Sequence, residues 1–200
     1  MSGAPPLPVA PADQLRLLAA AKTMNDAWGA VLEICILTLC LPWEAVAIDL
    51  QRIDWDRGFV PVPSRSIERR ALALSHEAQK AILRIAGEAA GRGQAVTAGR
   101  GPRLEARLFR MDRLVDRLAV AAPDTISLPA WNMHGIRFSG AQAMQANGAS
   151  SAEIAATLGR SREVESKGLR GDVELARTGV ERWNAILFSS RAPEARSPST

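Results

Sequence analysis

The chain contains no tyrosine, which removes every reaction that needs a phenol, whether as nucleophile, acid or radical site. Cysteine is nearly as scarce: Cys35 and Cys40 are the only two, close together in an apolar run. That spacing fits two core thiols in a reducing compartment better than a disulfide, and it offers no zinc-ligand pattern. No apolar run approaches the roughly 18 residues that a membrane helix requires, so no membrane partner is expected. The first eight residues, Met-Ser-Gly-Ala-Pro-Pro-Leu-Pro, have neither a basic start nor a continuous apolar core. No secretory signal is therefore expected, and the cytoplasm is the expected location. No residue pattern calls for a metal or any other cofactor.

What is present describes a globular chain. Two hundred residues, 47% hydrophobic and 23% charged, suit one domain with a substantial core. A net charge of +4 and a pI near 9.8 are compatible with a polyanionic partner, though many proteins that never meet nucleic acid share them.

Periodicity and punctuation divide the chain into a flexible leader over residues 1–11, a folded part over 12–189 and a loose Pro/Ser tail over 190–200. Helices are expected over 12–24 and over 27–40, the second apolar almost all round and therefore central. Pro42 ends that run and opens a short new helix at Trp43 and Glu44. Three short extended pieces over 51–54, 59–62 and 71–74, separated by turns, predict a small three-stranded antiparallel sheet. Further helices are expected over 75–90, 104–120 and 172–188, with a glycine-rich loop over 87–102 as the best hinge. The fold class is mainly α (α+β).

Residues 131–159, reading WNMHGIRFSGAQAMQANGASSAEIAATLG, carry the most chemistry. His134 and Arg137 share one face of a helix near its start, where free backbone N–H groups already favour an anion. The same two residues also fit a purely structural role, with Arg137 paired to a core carboxylate and His134 half-buried.

Trp131-x-x-His134-x-x-Arg137, a helix end near Asn147-Gly148, then Ile154 and Leu158-Gly159, resemble the catalytic domain of the tyrosine recombinases, the phage-integrase family. The family's pattern there is histidine, two residues, arginine, and later Leu-Gly-His. The upstream run ILTLCLPWEAVAIDLQRIDW is similar to the helix, acidic residue and strand that come before it, so the resemblance spans residues 12–188 by order of elements. It implies an integrase-like catalytic domain, a helical bundle with a three-stranded sheet, acting on DNA without a cofactor. The scissile phosphate would be held by Arg137 and His134, by Arg65 in place of the sheet-turn lysine, and by Arg160 in place of the last histidine. Two positions depart from the family. Its first arginine falls on Leu41 and its tyrosine nucleophile near Leu169, and neither leucine can bind phosphate or attack it. Ser166 is nearby but has no base beside it.

The expectation is therefore a DNA-binding, recombinase-like protein that cannot cleave DNA. It would act in recombination or integration by occupying sites, or by joining an active recombinase or its own copies through the C-terminal helix that the family exchanges between subunits. Two alternatives stand beside it. One is a protein–protein module on a repurposed recombinase fold, favoured by Leu41. The other is a helix-turn-helix over residues 151–164, with Ala155 in the first helix, Gly159 at the turn and Val164 docking a second helix. That second helix would present Arg160, Arg162, Lys167 and Arg170 to DNA.

Overall fold

A computed structural model describes residues 8–24, 27–63, 69–91, 131–160, 164–165, 169–170 and 172–190. The described chain is mainly helical, with a small antiparallel hairpin. In order it forms α1 (Pro11–Met24), α2 (Ala27–Thr38), α3 (Pro42–Val46), a 3-10 turn (Leu50–Arg52), β1 (Phe59–Pro63), β2 (Arg69–Ala73) and α4 (His76–Gly91). After residues outside the description come α5 (Met133–Ala146), α6 (Ser151–Thr157), β3 (Val164–Glu165), β4 (Leu169–Arg170) and α7 (Val173–Ser189). The helix expected over 104–120, most of the glycine-rich loop and Arg65 lie outside the described residues; residues 87–91 continue α4.

The second helix is central, as its composition requires. Every residue from Val31 to Cys40 is buried, and Leu32, Ile36 and Leu37 meet Leu17 and Leu18 of α1, Leu72 and Leu74 of the hairpin, and Trp183 and Leu187 of α7 in one core. Its only charge, Glu33, is taken up by Arg84 of α4 and, at 3.8 Å, by Lys22 of α1. The helix ends without a glycine. Leu39 takes a left-handed conformation at φ 53°, a strained choice for a leucine, and its buried side chain lies where Gly140 of α5 leaves room. Helix ends leave carbonyls without partners, and here α7 supplies them: Trp183 Nε1 donates to Ile36 O at 2.7 Å, and Asn184 Nδ2 to Leu37 O at 2.7 Å. Cys35 and Cys40 are free thiols, fully buried with Sγ atoms 3.8 Å apart, and burial pushes the Cys35 thiol up.

Four expectations change. Residues 51–54 do not form a strand: Asp49 caps a 3-10 turn by accepting from Gln51 N, and only an isolated bridge from Asp54 to Phe59 remains, so the hairpin has two strands. The third neighbour of the sheet comes from later in the chain, where β4 pairs in parallel with β2, Arg70 opposite Arg170, and β3 pairs antiparallel with β4. Val164, which would dock the second helix of a helix-turn-helix over residues 151–164, and Arg170, which that helix would present to DNA, are instead strand residues. Val9, inside the expected leader, is buried, and its N–H donates to Ser139 Oγ of α5 at 2.7 Å.

Helix α6 lies against α7 at Gly179, and this contact carries a prediction of sign. In an exposed helix Gly→Ala stabilises by about 1 kcal/mol. A Cβ on Gly179 would lie 2.0 Å from Thr157 Oγ1, whose hydroxyl is buried and donates to Glu153 O. Glu153 cannot yield either, since Arg182 Nε of α7 holds its carboxylate at 2.7 Å. Gly179→Ala is therefore expected to destabilise by about 1–3 kcal/mol in urea denaturation, the usual cost of overpacking. A stabilised variant would show that the two helices separate freely.

Candidate anion site

Of the residues singled out from sequence, His134 and Arg137 lie near the start of α5 and Arg160 on the loop after α6, and beside them β2 and α3 bring two that were not, Arg70 and Glu44. Helix α5 begins because Asn132 caps it, its Oδ1 accepting from Gly135 N at 2.7 Å. That cap takes one of the free N–H groups on which an anion at this helix start would rely. His134 is exposed, and Arg137, one turn on, is half-buried.

Arg137 does not pair with the core carboxylate. Its Nη2 donates to Leu158 O at 2.8 Å, at the C-terminal end of α6. Burial is the largest influence on its guanidinium and holds its pKa below the ordinary value. Glu44 opposes this, while Arg70 and Arg160 add to it. Arginine stays protonated even so. Among the described residues no carboxylate lies within ion-pair distance of it.

The carboxylate of that neighbourhood is Glu44, and it belongs to Arg70. Helix α3 opens at Pro42, and Glu44 turns back so that Oε2 accepts from Leu41 N at 2.7 Å. From β2, Arg70 closes a two-point pair on the same group: Nε to Oε1 at 2.5 Å and Nη2 to Oε2 at 2.9 Å. Both side chains are out of water, 3% and 5% exposed. This planar fork is the geometry in which arginine binds carboxylate most strongly. One nitrogen remains over: Arg70 Nη1 is buried and has no hydrogen-bond partner among the described residues.

The loop after α6 covers this pair. Gly159 turns there at φ 66°, and a Cβ on it would come within 2.5 Å of Arg70 Cδ and 2.6 Å of Cζ. A residue with a side chain would thus meet both a disfavoured backbone and the guanidinium itself. Arg160 follows, exposed, its N–H bonded to Ala155 O.

The structure therefore brings Arg137 near the Arg70–Glu44 pair, with Arg160 exposed on the loop that covers that pair. His134 stands one turn away in solvent, and Arg65 lies outside the described residues. Leu41 begins α3 with its backbone held by Glu44, and Leu169 lies in β4, in register with Arg69. No group of three metal-ligating side chains occurs among the described residues, and none of their helices is long and apolar enough to cross a membrane.

Sequence reading missed Arg70 and its pairing with Glu44. The signal was available: Arg70, Leu72 and Leu74 alternate, so an extended chain places all three on one face. With the strand started at Ala71, Arg70 fell outside it.

No protein-family model matches this chain, and neither a curated protein nor a solved structure does.

Proposed function

We propose that this chain is a DNA-binding protein on an integrase-like fold, that it holds a backbone phosphate at the Arg137 face, and that it does not cut the strand. One observation carries the reading: Arg70, buried, spends Glu44 on its own charge and keeps one nitrogen over, while half-buried Arg137 beside it finds, among the described residues, only a backbone carbonyl; Arg160 stands exposed at the edge. Burying excess positive charge is costly unless an anion compensates it. A phosphate, with several acceptor oxygens, suits a set of arginine forks.

The order of elements agrees with the resemblance. An apolar helix ends at a short helix with a buried acidic residue, a hairpin follows, and then come the helix carrying His134 and Arg137 and the turn at Leu158-Gly159. Strand cleavage in that family needs a tyrosine, which the chain lacks throughout. Its place in recombination or integration would then be to occupy sites or to accompany an active recombinase. Association through α7 is the weaker version, because α7 already fills its own core with Trp183 and Leu187.

The test is duplex binding by fluorescence anisotropy at two salt concentrations, for the native chain and Arg137→Ala. Loss of one phosphate contact should lower the slope of log affinity against log salt by about one. Binding indifferent to Arg137 would remove DNA phosphate from this site and leave a protein-binding role on the same fold.

A further inference from the structure

Residue 41 offers no cation, yet the site does not lack a second guanidinium. Arg70 Nη2 and Leu41 N donate to the same oxygen of Glu44, so the Arg70 guanidinium lies beside the residue that opens α3. Its carboxylate partner is satisfied by three N–H groups, while Nη1 has no partner among the described residues. An unpaired donor on a buried, charged group is a standing cost, and a protein keeps one mainly where something binds it.

What covers the Arg70 guanidinium is the loop over residues 158–160, where Gly159 packs against Cδ, Nε and Cζ. That loop is held by Arg137 through Leu158 O on one side and rests with Gly159 on Arg70 on the other. Both contacts are replaceable by a phosphate, whose oxygens can take Arg137 Nη2 from the carbonyl and meet Nη1 of Arg70. Arg160 then travels with the loop and remains free to meet the same anion.

We infer that Arg70, reaching in from β2, supplies a second phosphate-binding guanidinium beside Leu41, and that the 158–160 loop lifts from it when the anion enters. This rests on the DNA-phosphate reading and names the residue that completes it. Glu44 is then a positioning residue, engaging Nε and Nη2 so that Nη1 is the nitrogen left over.

The experiment is the same salt titration on a charge-neutral pair of changes. Arg70→Met with Glu44→Gln leaves the net charge unchanged, keeps an acceptor for Leu41 N and removes Nη1. The expected result is a salt slope lower by about one and weaker duplex binding at both salts, despite unaltered net charge. A second variant, Arg70→Lys, keeps the ion pair with Glu44 but has no further nitrogen to offer, and the same loss is expected from it. If both variants bind as the native chain does while Arg137→Ala is weakened, Arg70 is not in the site and the inference falls alone. If Arg137→Ala also binds normally, the DNA reading falls with it.

Discussion

Replacing Trp183 by alanine is expected to cost about 3–5 kcal/mol, the range for deleting a fully buried large aromatic side chain. The indole is wholly out of water at the middle of α7 and packs into the core centred on α2. It also has a polar task, since its Nε1–H satisfies Ile36 O at the open end of α2. Trp183→Phe separates the two contributions, keeping most of the apolar contact and orphaning the carbonyl. About 1–3 kcal/mol is expected from that loss alone. Against a total stability of about 5–15 kcal/mol for a domain, the alanine variant should be marginal. Chemical denaturation of the three proteins measures both steps. A phenylalanine variant as stable as the native chain would mean that the end of α2 is held by Asn184 alone.

That bond also explains why the site depends on a distant helix. The carbonyls of Ile36 and Leu37 come just before Leu39, Cys40 and Leu41, the residues that deliver Glu44 to Arg70. Asn184 extends the same support, accepting from Ser75 Oγ, which in turn accepts from Ala78 N at the start of α4. Helix α7 therefore sets the position of α2, of α4 and, through α2, of the carboxylate.

Much of this was legible from local pattern. Helix α2 declared itself central by being apolar on every face, Pro42 marked the break, and Asp172 and Ser150 cap α7 and α6 by accepting from N–H groups three residues on. The parts that escaped depend on contacts between distant residues. Nothing near Gln51 announces that Asp49 will fold it into a 3-10 turn, because a short apolar-alternating piece fits either state. The parallel pairing of Arg70 with Arg170 joins residues a hundred positions apart, beyond any periodicity. At the site, Arg137 was legible as a cation near a helix start. Its acceptor, Leu158 O, was not, since a backbone carbonyl carries no residue-specific signal. Arg70 was legible in principle from its alternation with Leu72 and Leu74.

Arg70→Met alone is expected to be among the most damaging single changes in the chain, and for a reason that differs from Trp183. It creates no large cavity. It leaves the Glu44 carboxylate buried with only the Leu41 N–H to hold it, and removing one partner of a buried ion pair typically costs about 3–5 kcal/mol. Glu44→Leu should cost a similar amount by stranding the guanidinium. The net contribution of the pair is smaller than either loss, because both groups gave up hydration to form it. Arg70→Met combined with Glu44→Gln should therefore recover most of the stability, so that the coupling energy between the two positions is about as large as the Arg70→Met loss itself, about 3–5 kcal/mol. Urea denaturation of the native chain, Arg70→Met, Glu44→Gln and the double variant closes that cycle. Strictly additive effects would show that the two residues are not paired in solution. Recovered stability together with lost duplex binding would separate what Arg70 does for the fold, which glutamine and methionine can replace, from what its free nitrogen does for an anion, which they cannot.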